Sequence, residues 1–275
     1  MRRSHVKRNY GGTQRLPKDN YTFGDNDQAS ARLRQLAELY EAETRDLLER
    51  GRVRGPRVAV DLGCGPGWST RLLQNVVNAD RTVGLDASER YITEARANRG
   101  SWLEFYVHDI ARAPFPVPSP DILFCRFLLT HLSSPAEVIA TWGKISAPDA
   151  ILFIHETESL ETDHPALRRY YEFVAQLQQH YGQKLLVGSF LEDCFENSDW
   201  HLTESKRVVL EKPAAKMAQL HLANLRTWRY DEYARLAFDF DEVDSLDASL
   251  RRIATGADHG AVVLNTARQI IARRV

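Results

Sequence analysis

Apolar positions along this 275-residue chain change period several times. Between residues 31 and 50, Leu33, Leu36, Ala37, Tyr40 and Leu47 recur at helical spacing, with Arg32, Arg34, Glu41 and Arg45 off that stripe. This predicts one amphipathic helix, broken by Gly51 to Pro56. Short apolar runs then alternate with helical stripes. Strands are expected at 57–61, 81–86, 102–108, 121–126 and 150–156. Helices are expected at about 68–77 (Leu72, Leu73, Val76, Val77), from Ser88, and after Ser134. There, Ser134-Pro-Ala-Glu137 reads as a capping box with proline in the first turn. Repeated βα units imply a mostly parallel sheet with right-handed crossovers.

Beyond residue 156 the alternation loosens. A helix follows Asp163, with Leu167, Tyr170, Tyr171, Val174 and Leu177 on one face, and stops at Gly182. A short helix (189–198) and an extended stretch (201–211) come next. Residues 212–258 read as helices carrying Met217, Leu220, Leu225, Trp228, Tyr233 and Leu236, and 267–274 reads as extended. The expected organisation is a flexible basic arm (1–20), a helical cap (21–56), a core (57–158), a helical insertion (159–188), core (189–211), a second helical insertion (212–258) and a last core strand (259–275). Parallel strands share one carboxyl edge, so both insertions emerge there and make a lid over a site at that edge. The competing reading is that they thicken the fold or form a dimer contact.

Composition adds little. With 43% hydrophobic and 27% charged residues and a formal net charge of -1, nothing draws the whole chain to nucleic acid or membrane. No apolar run reaches the ~18 residues of a membrane span. Cys64, Cys125 and Cys194 form neither a disulfide framework nor a zinc pattern. No metal site is expected, and a reducing, cytoplasmic setting fits best. The first 18 residues hold six Lys/Arg and no acid. No apolar segment follows Arg2-Arg3, so a solvated tail is preferred to a twin-arginine signal or a nucleic-acid arm.

The chemistry centres on Val58-Ala-Val-Asp-Leu-Gly-Cys-Gly-Pro-Gly67, an apolar strand running into a glycine turn. Such a turn lets bare backbone approach a nucleoside ligand. Its glycines are spaced Gly63-x-Gly65-x-Gly67 rather than G-x-G-x-x-G. Asp61, just ahead of them, would repel a pyrophosphate and attract an ammonium group, which argues against a nicotinamide dinucleotide. The segment resembles the first motif of class I S-adenosylmethionine (SAM)-dependent methyltransferases. That resemblance is specific through about residues 57–156 and is nearest to the ubiquinone-biosynthesis and trans-aconitate type. It implies an α/β, Rossmann-like fold: a seven-stranded, mostly parallel sheet with one antiparallel strand, flanked by helices, plus the helical lid insertions. It also implies SAM as methyl donor and S-adenosylhomocysteine (SAH) as product.

Further residues match the family's pattern. Asp86, with Ala87, ends the second strand about 20 residues beyond the loop, where an acid reaches a ribose; a helix N-cap is the competing role. By resemblance, Asp109 takes the adenine amino group and Ile110 covers the ring. Gly63, Cys64 and Gly65 offer backbone. Arg126, after the fourth strand, is assigned the methionine carboxylate or an anionic acceptor, against a structural ion pair. Tyr21 is placed over the sulfonium, where a cation beside a ring gains ~1 kcal/mol. His131, His155 and Glu156 are the candidate bases, each weighed against a structural hydrogen bond. The lid contributes Tyr170, Tyr171, His180, Trp228 and Arg168.

The same comparison narrows the acceptor. The chain lacks an Asn/Asp-Pro-Pro-aromatic motif after the fourth strand, a cysteine nucleophile following proline, and a paired-glutamate hairpin. It also lacks the cysteines of arsenite methyltransferases. The expected enzyme methylates a small-molecule acceptor, at a hydroxyl or carboxyl oxygen first, by direct displacement, as a monomer or homodimer without nucleic acid or membrane partner. Two alternatives stay open: an RNA methyltransferase anchored by the basic arm, and a non-catalytic SAM-binding regulator.

Overall fold

The computed structural model describes residues 24–98, 100 and 102–275; Tyr21 and the basic arm lie outside them. Five short apolar runs form parallel strands: β1 (Val58–Leu62), β2 (Arg81–Asp86), β3 (Leu103–Val107), β4 (Ile122–Arg126) and the longer β5 (Ile151–Glu161). Two more follow, β6 (Trp200–Pro213) and β7 (Val262–Arg274). The sheet order is β3-β2-β1-β4-β5-β7-β6. β7 is antiparallel to both its neighbours. The expected seven-stranded, mostly parallel sheet with one antiparallel strand is therefore present. Among the described residues, no helix is long and apolar enough to cross a membrane.

The sheet is covered on both faces. Helices α3 (Trp68–Val77), α4 (Glu89–Ala97) and α5 (Pro135–Ile145) supply the crossovers. Alternation along β1 sends Val60 and Leu62 to the face that buries Trp142 of α5, and Ala59 to the face that buries Leu72 and Leu73 of α3. Trp142 is fully buried and its indole donates to the Ile110 carbonyl at 2.8 Å. That bond ties α5 to the turn after β3 without stranding a polar atom.

The expected single helix at 31–50 is two: α1 (Asp27–Leu39) and α2 (Glu41–Arg50). Its apolar positions serve two partners. Leu36 and Leu39 pack against an apolar cluster built by the chain after β5, whereas Leu47 and Leu48 pack under the sheet with Phe153. The chain turns at the buried Tyr40 to satisfy both. Ser134 does precede α5, but its side chain makes no capping bond, so the start rests on Pro135. The short helix expected at 189–198 is a pair of 3₁₀ turns, Val187–Phe190 and Asp193–Phe195. Gly188 lies so close to β5 that a Cβ would stand 2.8 Å from the Thr157 carbonyl, which holds the chain in tight turns.

The remaining helices are α6 (Pro165–His180), α7 (Ala214–Trp228), α8 (Glu232–Ala237) and α9 (Phe240–Ala254). They leave the sheet after β5 and β6 and share a separate apolar cluster that includes Leu167, Phe173, Met217, Trp228 and Leu250. α1 packs across α7 on the same side.

Candidate functional site at the carboxyl edge of the sheet

β1 delivers Asp61, 1% exposed, to the start of the glycine loop. Gly63, Gly65 and Gly67 have φ of +69°, +52° and +86°, the left-handed region that side chains resist. Two of them also permit close approach. A Cβ at Gly63 would stand 2.5 Å from Leu128 Cδ1, and one at Gly67 2.8 Å from the Phe105 ring. The loop turns the chain into α3, whose first-turn hydroxyls reach back. Ser69 and Thr70 each donate to Asp61 Oδ2 at 2.7 Å. Burial still pushes the Asp61 carboxyl up to about 6, against those hydroxyls and the charge of Arg126. The Cys64 side chain points into a cluster with Ile92, Ala95, Leu103 and Phe105, so only its backbone belongs to the loop.

Asp86 ends β2 and clamps the loop from the side. Its Oδ2 accepts from the Gly65 amide and its Oδ1 from the Ser88 amide, both at 2.8 Å. Burial raises its carboxyl and these amides lower it. The helix cap itself is Ser88, which accepts from Tyr91 N at 3.1 Å. Ala87 is exposed beside them. Asp109 stands apart. It is exposed, pairs with Arg112 at 2.9 Å and accepts from Ala111 N, while Ile110 turns inward against the Trp142 cluster.

After β4 the chain turns at Phe127, whose φ of +52° is costly for a bulky residue. Three hydrogen bonds hold it there. The Phe127 amide donates to the His155 carbonyl at 3.0 Å. The next two amides, Leu128 and Leu129, donate to Glu156 Oε1 at 2.7 and 2.8 Å. Glu156 is fully buried and its Oε2 has no partner. Burial pushes its carboxyl up to about 8 despite the backbone amides. Arg126 donates to Thr44 Oγ1 at 3.0 Å, and its charge acts on Asp61 across the strand ends. Burial brings its guanidinium down to about 10. His155, fully buried, lies between Tyr40 and Phe127 with Nδ1 3.5 Å from Thr44 Oγ1 and no partner for Nε2. Burial and then Arg126 hold it down at about 3.

His131 sits on the 3₁₀ turn Leu129–His131 that follows. Gln178 of α6 lies 3.5 Å from its Nδ1, and Gln183 donates to its carbonyl at 3.0 Å. Burial, then the charge of Arg32, holds His131 at about 3 as well. The structure thus brings Asp61, Gly63, Cys64, Gly65, Asp86, Arg126, His155, Glu156 and His131 to one edge, and leaves the Asp109 carboxylate facing solvent. It also adds residues that the sequence did not single out for the site: Tyr40, between α1 and α2, Thr44 of α2, Arg32, expected off the apolar stripe but buried, and His221 and Asn224 from α7. Polar side chains on the buried stripe of an amphipathic helix were the available signal. Among the described residues, no group of three or more His, Cys, Asp or Glu is placed to hold a metal.

Known proteins bear on this edge. Residues 60–154 match the family model of a methyltransferase domain. The chain is 32% identical over 170 residues to a trans-aconitate 2-methyltransferase of Methylobacterium nodulans, covering 60% of this chain and 65% of that one. A second, from Methylobacterium radiotolerans, is 33% identical over 124 residues, covering 45% and 47%. The matched stretch thus spans less than two thirds of either relative's length. Among solved structures, the cyclopropane synthase MmaA2 of Mycobacterium tuberculosis superposes with a TM-score of 0.53 at 16% identity, covering 85% of this chain and 84% of that one. Its likeness is one of fold. Sheet order, glycine loop and matched segment together give the chain a class I SAM-dependent methyltransferase fold, with a methyltransferase domain matched at residues 60–154.

Proposed function

We propose that this SAM-dependent methyltransferase domain methylates a small-molecule acceptor at oxygen, with a carboxylate or another already ionised oxygen ahead of a neutral hydroxyl. When bound, SAM supplies an activated methyl group for direct displacement by that oxygen. The edge fits such a cofactor. Asp61 and Arg126 present opposite charges side by side, the complement of a zwitterionic amino-acid end. In this reading Asp61 takes the ammonium group and Arg126 the carboxylate. Gly63, Cys64, Gly65 and Ala87 offer backbone, and Asp86 uses its remaining lone pairs on the ribose. Asp109 and Ile110 are assigned to the adenine end, and Tyr21 to the sulfonium.

One observation carries the preference for an ionised acceptor. None of the three candidate bases is poised to take a hydroxyl proton. His131 and His155, held at about 3, would take a proton from a phenol of ordinary pKa at a cost of about 10 kcal/mol. Glu156, pushed up to about 8, holds its own proton at neutral pH and already accepts two amides. We assign these three to shaping the β4 turn and its surroundings. A carboxylate needs no base, so alignment and exclusion of water suffice.

The test is SAH release from SAM by the purified chain, with carboxylic acids, phenols and transfer RNA as separate acceptors. Turnover on an acid supports the reading. Turnover confined to RNA, or bound SAM with no turnover on any of the three classes, overturns it.

A further inference from the structure

Helix α1 lies across the glycine loop, and its two ends are held in different ways. The chain enters it alongside α4. Ser88 Oγ donates to Asp25 Oδ2, and Tyr91 Oη donates to the Gly24 carbonyl, each at 2.8 Å. Arg90 pairs with Asp27. One turn further on, Ser30 Oγ donates to the Glu94 carboxylate, 2.6 Å from each oxygen. Every one of these contacts is polar. They also begin at the segment that ends β2, because Ser88 gives its amide to Asp86 Oδ1 and its hydroxyl to Asp25.

The middle of α1 covers the loop. Leu33 Cδ1 stands 3.2 Å from where a Cβ on Gly65 would lie, and Gly65 is buried. The Arg34 guanidinium is 5.2 Å from the ring centre of Trp68, the first residue of α3, and Arg71 approaches the same ring at 4.8 Å. The far end is anchored in the core. Tyr40 is 2% exposed and its hydroxyl accepts from Asn265 Nδ2 at 2.7 Å. Leu47 and Leu48 of α2 follow, fully buried. Within α1 itself only Ala29, Ser30 and Arg32 are buried, and two of these three are polar. A segment held by half-exposed polar bonds opens well below the free energy of global unfolding; one continuous with buried leucines does not.

We propose that α1 is a strap over the glycine loop, pivoting at Tyr40 and caught on α4 by the Ser30–Glu94 bond. SAM enters and SAH leaves while the strap is released, when Leu33 uncovers Gly65. Closure returns Asp25 to Ser88, beside the acid assigned to the ribose, so the catch and the ribose contact act on one short segment. Ser30 and Glu94 are positioning residues and touch neither cofactor nor acceptor. This rests on the SAM-binding reading above for the identity of the ligand, but not for the opening of α1.

Hydrogen exchange and SAH kinetics on the full chain test the two parts separately. Without ligand, α1 amides should exchange at least tenfold faster than those of α2 and α3. Ser30→Ala and Glu94→Ala should each speed α1 about tenfold again, the loss of one charge-assisted bond worth about 1.4 kcal/mol, and leave α2 unchanged. Glu94→Gln keeps an oxygen for the Ser30 hydroxyl and should recover part of that effect. In stopped flow, the observed rate of SAH binding should level off with concentration at the opening rate. Ser30→Ala should raise that plateau and the SAH dissociation rate together, at least fivefold, with calorimetric affinity within threefold. A residue that merely held the ligand would change dissociation alone. Failure of SAH to bind removes the cofactor reading and leaves exchange in α1 to decide the strap. Exchange of α1 only together with α2, SAH rates unchanged in both alanine variants, or faster dissociation with unchanged association each overturn the proposal.

Discussion

Asp86 holds the Gly65 amide at 2.8 Å, so the end of β2 sets the conformation of a loop that belongs to β1. The carboxylate therefore has two tasks in the proposed site: fixing the loop backbone and meeting the ribose. Asp86→Ala should weaken SAH binding by about 1.5–3 kcal/mol, because charge-assisted hydrogen bonds are lost. Asp86→Asn should recover part of that loss, since an amide oxygen still accepts from Gly65. Calorimetry that finds unchanged affinity in Asp86→Ala takes this residue out of cofactor binding.

Gly63 is constrained twice, by φ of +69° and by Leu128 Cδ1 at 2.5 Å from where a Cβ would stand. Gly63→Ala should lower stability by about 2 kcal/mol and weaken SAH binding. Adding Leu128→Ala relieves the clash but not the backbone strain, so thermal melting of the double variant should show partial recovery of the Gly63→Ala effect. Full recovery would mean that the dihedral costs nothing.

Asp61 and Arg126 are electrostatically linked. The arginine's charge lowers a carboxyl that burial has pushed up to about 6. SAM affinity should therefore fall as pH drops through about 6 and Asp61 gains its proton. Arg126→Gln removes the lowering influence, moves that midpoint upward, and costs roughly tenfold in affinity at neutral pH, about 1.4 kcal/mol. A midpoint that stays in place would separate the two residues.

Stability should pass through a maximum near pH 6.5. His131, His155 and His221, all held at about 3, bind fewer protons folded than unfolded, so stability rises with pH between about 3 and 6.5. Asp61 and Glu156, raised to about 6 and about 8, bind more protons folded and act the opposite way. Three imidazoles outweigh two carboxyls on the acid side. Above pH 6.5 only Glu156 remains, and stability should decline toward pH 8 by up to about 1.4 kcal/mol per unit. Glu156→Gln keeps an oxygen for the Leu128 and Leu129 amides and should flatten that alkaline limb in urea titrations. A limb that persists in Glu156→Gln assigns it elsewhere.

The sheet was legible because buried parallel strands are short apolar runs, as in Ala150-Ile-Leu-Phe-Ile154, closed by turn residues. The outer halves of β5 and β7 were not. Thr157–Glu161 and Val262–Thr266 alternate or mix polarity, because a ribbon half-exposed at the sheet's end has no continuous core to face. The turn at Tyr40 escaped for a different reason: its apolar neighbours fit one stripe as well as two, and only the positions of the later helices and the sheet divide them. Asp61 and Asp86 announced themselves by following apolar strands into glycine or a helix start. Asp109 did so as well; in the fold its carboxylate is exposed and pairs with Arg112, a contact set by local turn geometry that no spacing records. The polar interior under α6 and α7 was the least readable part. Its histidine, asparagine and glutamine sit at core positions, where a hydropathy pattern registers only an interruption.

β7 lies between β5 and β6, although it comes after both in the chain. A nascent polypeptide must therefore keep a gap in its sheet through the synthesis of α6 to α9, with β6 lacking its sole ladder neighbour among the described residues. During that interval two long edges stand open to stray pairing, one of them carrying the strand that holds His155 and Glu156. Insertion of residues 262–274 seals both in a single event, so the edge that carries His155 and Glu156 matures only once β7 has been made. Conditions that slow synthesis between β6 and β7 should therefore shift yield toward aggregates rather than toward a partly working domain.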